Sequence, residues 1–136
     1  MTAKEYLSQA RFLDNRINSK IQQVSSLNEL ATKCTATISD MPKSQSISNS
    51  RLEDTVVKIV DLQEEINRDI DRLVDLKRDI VRAIKRVKKP EYQILLELRY
   101  LCFKTWEEIA VKMNCSIDNV FKMRNKALKI FEIPES

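Results

Sequence analysis

The chain has 136 residues, of which 32% are charged and 6% aromatic, with three prolines, no glycine, no histidine and a formal net charge of +4. The lack of glycine argues against β-hairpins and against phosphate-cradling loops, both of which need it for their turns, so an all-α fold is expected. The lack of histidine removes Ser-His-Asp triads, histidine acid–base chemistry and the common zinc sets, so neither an enzyme nor a cofactor is expected.

The N-terminal stretch MTAKEYLSQARFLDNR is charged throughout and has no secretory hydrophobic region. Thr2 and Glu5 form a capping-box pattern that opens a helix expected to reach about Cys34. Ala3, Ala10, Ile17, Val24 and Ala31 recur every seven residues, with Tyr6, Leu13 and Leu27 three positions after members of that series. That is the a/d seam of a coiled coil. Residues 35–50, rich in Ser and Asn and containing Pro42, are expected as a loop, because these side chains compete for backbone hydrogen bonds.

A second helix is expected over about 51–88, capped by Ser50 with Glu53 and stopped by Pro90. Leu52, Ile59, Ile66, Leu73, Ile80 and Val87 are spaced seven apart without a break. Two long helices joined by one loop predict an antiparallel, coiled-coil-like hairpin over residues 1–89. Val56, Val60, Leu62, Ile70, Val74, Leu76, Val81 and Ile84 widen the second stripe beyond what one partner requires. The expectation is a homodimer through this arm; the alternative is that the C-terminal part folds back over the second side. No apolar run approaches the roughly 20 residues needed to span a bilayer, so no membrane contact is expected.

Residues 90–136 read as three short helices. In EYQILLELRY (91–100), Ile94, Leu95 and Leu98 are expected to face inwards, and a turn follows at Cys102 to Lys104. Thr105, with Glu108 as capping-box partner, starts a helix bearing Trp106, Ile109, Ala110 and Met113. Ser116 caps the last helix, whose apolar set is Val120, Met123, Ala127, Leu128 and Phe131. The small Ala110 permits a close crossing, and Asn114 suits the positive φ of a tight turn. Together these are the marks of a helix-turn-helix module. The three cysteines, Cys34, Cys102 and Cys115, are widely spaced and odd in number, which fits reduced thiols in a cytoplasmic protein.

Over residues 91–131 the sequence resembles region 4 of bacterial primary sigma factors. The likeness lies in Leu98-Arg99-Tyr100, in TWEEIA (Thr105–Ala110) and in Lys126-Ala127-Leu128-Lys129. Over its full length it is similar to an uncharacterised phage and prophage family with an MTAKEYL-type opening and an IVDLQEEI-type central helix, and to the ArpU-type regulators of phage late transcription. The resemblance implies double-stranded DNA as partner, the host's RNA polymerase as a second, and the cytoplasm of the bacterial host as location. It implies that Ile117, Asp118, Phe121 and Lys122, with Lys126 further along, face the major groove. Asp118 would accept from cytosine and Lys122 donate to guanine. Thr105 would place its helix start near a phosphate. Ser116, Asn119, Arg124 and Lys129 belong to the same expected surface. The family commonly has arginine where Ile117 and Phe121 stand, so those two positions depart from its pattern.

Charge follows the same division. Residues 1–81 carry 12 basic and 13 acidic side chains, and residues 82–136 carry 12 and 7. The run Arg82, Lys85, Arg86, Lys88, Lys89 is expected to add phosphate contacts beside the reading helix; equally it suits a solvated helix end favoured by the dipole. The resulting expectation is a DNA-binding phage transcriptional regulator. Two rivals are a helical adaptor that binds a protein through its arm, and a recognition subunit of a DNA-packaging machine.

Overall fold

A computed structural model describes the backbone of residues 1–40 and 45–134, and the side chains of residues 1–33 and 50–134. Among the described residues the fold is all-helical: α1 (Ala3–Asp40), α2 (Gln45–Lys85), α3 (Pro90–Tyr100), α4 (Trp106–Lys112) and α5 (Ile117–Ile130). No helix there is long and apolar enough to cross a membrane.

Helix α1 starts as its sequence dictates. The Glu5 N–H donates to Thr2 Oγ1 at 3.2 Å, and the Thr2 N–H donates to Glu5 Oε2 at 3.4 Å. The expected loop is shorter than its composition suggests, because α1 continues to Asp40 and α2 already begins at Gln45. Residues 41–44, including Pro42, lie outside the described residues. Ser50 is therefore inside α2 and does not cap it. Once a long helix is nucleated, each further residue gains a hydrogen bond, which outweighs the modest propensity deficit of Ser, Thr and Asn. Threonine can also satisfy itself within a helix, as the Thr32 and Thr55 hydroxyls do by donating to the carbonyls of Asn28 and Arg51.

The other end of α2 falls at Lys85, three residues before the expected 88. Arg86 and Val87 close it with tightened bonds to the carbonyls of Ala83 and Ile84. Lys89, held before Pro90, is extended at φ −89°, ψ 119°. The Gln93 side-chain amide donates to the freed carbonyls of Val87 and Lys85.

Two compact units divide the chain. One comprises Asn15–Asp71, the middle of the arm. Lys20 meets Glu65 and Asp69, while Ser26 and Leu27 line a cavity with Asp61 and Leu62. Positions rising along α1 thus meet positions falling along α2, which is antiparallel packing. Ile17 and Ile66 are buried in this seam, and so is Asp69, whose Oδ2 lies 2.6 Å from Lys20 Nζ.

The second unit comprises Met1–Asp14 with Arg72–Ser136. Leu7 and Ala10 of α1, Ile80, Ala83 and Ile84 of α2 and Val87 just beyond it share one buried cluster with α3, α4 and α5. Each fully buried Leu or Ile is worth about 1.5–3 kcal/mol, so this cluster holds the unit together. The C-terminal helices cover the flank of α2 that carries Ile84. Leu7, outside the heptad series, is fully buried for the same reason. In α3 the inward face is Tyr92, Leu95, Leu96 and Tyr100, whereas Ile94, expected inside, is 48% exposed. The helix has apolar residues on two sides, and the tyrosines select the buried one. The Tyr6 and Phe131 rings meet at 6.0 Å, joining α1 to the end of α5.

Candidate nucleic-acid interface

The corner between α4 and α5 follows from a few side chains. The Thr105 hydroxyl accepts from the Glu108 N–H at 3.2 Å. Glu108 sets its carboxylate 3.9 Å from Lys104 Nζ, so only half of the expected capping box forms. At the far end of α4, Asn114 has φ 53°. Its N–H donates to the Val111 carbonyl, and the Cys115 N–H donates to the Ala110 carbonyl at 3.1 Å. These two bonds are those of a Schellman end, with asparagine at the left-handed position that glycine usually fills. Ser116 then caps α5, its hydroxyl accepting from the Asn119 N–H at 3.2 Å. Ile109, Ala110 and Val120 are buried at the crossing.

Helix α5 is 14 residues long, or about 21 Å at 1.5 Å per residue. Val120, Ala127 and Phe131 bury one side. Asp118, Asn119, Lys122, Lys126 and Lys129 are exposed on the other, as are the caps Thr105 and Ser116. This exposed side therefore carries three lysines to one carboxylate, and it is presented by a helix whose direction the corner fixes.

Phe121 and Arg124 differ from expectation. The Phe121 ring packs edge-on against Trp106 at 6.0 Å and 75°, and it is only partly exposed. The Arg124 guanidinium lies 4.8 Å from the Phe121 ring centre and 5.4 Å from that of Trp106. Both side chains are engaged with the indole. They flank the exposed side instead of standing on it. Ile117 is half-buried.

Arg86, Lys88 and Lys89 are exposed. Arg86 and Lys88 share a small cavity with Ile130 and Glu132, which puts them at the C-terminal end of α5. Lys89 lies 5.1 Å over the Tyr92 ring. Arg86 and Lys88 are thus a full helix length from Ser116. Cys102 and Cys115 are free thiols, and the Cys34 side chain lies outside the described residues.

A second feature has no signal in the local sequence pattern. A cavity of about 270 Å³ is lined by Lys4, Ser8 and Arg11 of α1, Arg99 and Tyr100 of α3, Trp106, and Arg124, Asn125 and Leu128 of α5. The Arg99 guanidinium lies 4.5 Å from the Trp106 ring centre, and its Nη1 donates to the Lys104 carbonyl at 3.0 Å. Two guanidiniums therefore share one indole. Burial, and then the neighbouring Arg11 and Arg124, push the Arg99 pKa down. Burial raises that of Tyr100, against the opposing pull of Arg99 and Arg124. Arg11 and Lys4 belong to an element some ninety residues from Arg99, and only the tertiary fold brings them there.

No curated protein and no solved structure matches the chain. The model of the family described as "Protein of unknown function (DUF1492)" matches residues 33–132. Because that match takes in all of α2, α3, α4 and α5, well over half of the chain, this protein belongs to the DUF1492 family.

Proposed function

We propose that this protein is a sequence-specific DNA-binding regulator of transcription, acting on phage late-gene expression in the cytoplasm of a bacterial host. The observation that carries the reading is the exposed side of α5, where Asp118, Asn119, Lys122, Lys126 and Lys129 stand free of the core behind a capped and tightly crossed corner. A major groove about 12 Å wide admits such a helix. Lys122 and Asp118 are the base-reading candidates; Lys126 and Lys129, with the capped start of α4 at Thr105, are the phosphate contacts. Because Phe121 and Arg124 pack on Trp106, they would orient the helix and leave base reading to their neighbours. The likeness to sigma region 4 supports the reading from the residues alone, and contact with RNA polymerase rests on that likeness.

The reading includes a homodimer through the arm. Val56, Val60 and Ile70 of α2 are each more than 40% exposed. With Gln63 and Asn67 between them, they follow the alternating four-and-three spacing of a second coiled-coil seam. The same row is the feature that favours the rival, a helical adaptor whose arm binds a different protein.

Gel-shift and anisotropy titrations against DNA upstream of phage late genes test the proposal. Lys122→Ala and Lys126→Ala should each weaken binding about tenfold or more, and loss of a phosphate-contacting lysine should reduce the salt slope by about one. Saturable binding with no sequence preference, or equal affinity of wild type and both variants, would sink it.

A further inference from the structure

The cavity beside Trp106 gathers four cations, Lys4, Arg11, Arg99 and Arg124, with no acidic residue in its lining. The ion pairs formed among the described residues by Lys20, Arg78 and Lys104 lie outside this lining. Like charges gathered at one space repel one another, and the repulsion is least screened at the half-buried Arg99, where Glu107 offsets only part of what Arg11 and Arg124 impose. Such an arrangement persists when the rest of the core holds it, and it is relieved by an anion.

The donors are also fixed in advance. Arg99 is held by the Lys104 carbonyl and by the indole face. Arg124 donates from Nε and Nη2 to Asn125 Oδ1, both at 3.2 Å, and lies over two rings. A guanidinium so pinned loses little freedom when it binds an oxyanion, and its planar fork suits phosphate oxygens. The Ser8 hydroxyl lines the same space.

We propose that this cavity is a binding site for a phosphate group, seated on Arg11, Arg99 and Arg124 with Lys4 beside them. Geometry selects phosphate over a carboxylate: it offers tetrahedrally arranged oxygens to several guanidiniums at once, with one negative charge as a diester and close to two as a monoester, where a carboxylate offers two coplanar oxygens and one charge. The cavity has room for part of whatever bears the phosphate. Two sources share this chemistry. One is the backbone of a duplex lying along α5, since Arg124, Asn125 and Leu128 border both the cavity and that helix. The other is a soluble phosphate ester. The site does not depend on α5 reading bases, so it stands or falls separately from the proposed function.

Trp106 is the sole tryptophan of the chain and lies in the cavity wall, which makes its fluorescence the direct reporter. The full-length protein is titrated with sodium phosphate against sodium chloride at matched ionic strength. In parallel, duplex binding is measured as a function of salt for wild type and Arg11→Gln. A saturable fluorescence change specific to phosphate, with half-saturation raised at least tenfold in Arg11→Gln, supports the site and a soluble occupant. A salt slope lowered by about one in Arg11→Gln supports it with the duplex backbone as occupant. Should Arg11→Gln fail to fold, Lys4→Gln, a change at an exposed residue, is read in the same two ways. Neither response in the wild type, or equal responses in wild type and variant, overturns the proposal. A phosphate response in a protein that binds no DNA would overturn the proposed function and leave this site standing.

Discussion

At position 114 the backbone takes φ 53°, and at position 103 it takes φ 58°, in a chain that has no glycine to place at either. The left-handed region costs an ordinary residue about 1–2 kcal/mol, and asparagine less. Asn114→Val should therefore destabilise the protein by about 1–2 kcal/mol or more in urea unfolding. Asn114→Gly should change stability by no more than about 0.5 kcal/mol, because relief of strain is offset by a freer unfolded chain. Equal losses for the two variants would show that the asparagine side chain, and not the backbone, matters there. Asn114 was legible in the sequence because the αL requirement of a Schellman end is local chemistry. Phe103 was not, since a bulky residue is a poor candidate for positive φ. Its ring is engaged instead by the Lys77 ammonium at 4.8 Å, a contact made across the fold. Arg11 and Lys4 were missed for the same reason: spacing within one helix carries no word of what a distant helix brings.

Within the arm, the buried pair Lys20–Asp69 interrupts an otherwise apolar seam. Breaking one half of a buried pair takes the counter-ion from the other half, at a cost of about 3–5 kcal/mol. Lys20→Met alone should accordingly lower the thermal midpoint sharply, while Lys20→Met with Asp69→Leu should recover wild-type stability or exceed it. A single variant as stable as the parent would mean that Asp69 is satisfied by other groups. Paired polar residues in a seam also set its register, since sliding α1 along α2 by one heptad would separate them. The heptads themselves were plain from residue spacing, and Ile17, Ile66, Ile80 and Val87 are buried as their period requires. The ends of the helices were less plain. Ser- and Asn-rich stretches bias a chain towards loops only weakly, and two long helices extend through that bias to Asp40 and from Gln45.

For the whole molecule, the exposed row Val56, Val60 and Ile70 bears on assembly. The proposed dimer predicts a two-chain mass by sedimentation equilibrium at micromolar concentration, falling to one chain in a Val60→Lys, Ile70→Lys double variant. A monomeric wild type would remove the dimer and leave the row to another partner. The all-helical fold could be read from a chain without glycine, and the corner between α4 and α5 from its caps, because both are set by neighbours in sequence. The cover that the C-terminal helices give to the end of α2 was one of the two alternatives its wide stripe offered; the entry of α1 into the same core could not be read, because Leu7 obeys no local pattern. The absence of glycine has one more consequence. The link between α4 and α5 is closed by backbone bonds and a serine cap, with no residue there able to swivel at low cost. Whatever the corner meets, it meets already assembled. Association should then carry little ordering entropy, and calorimetry should find no sign of coupled folding.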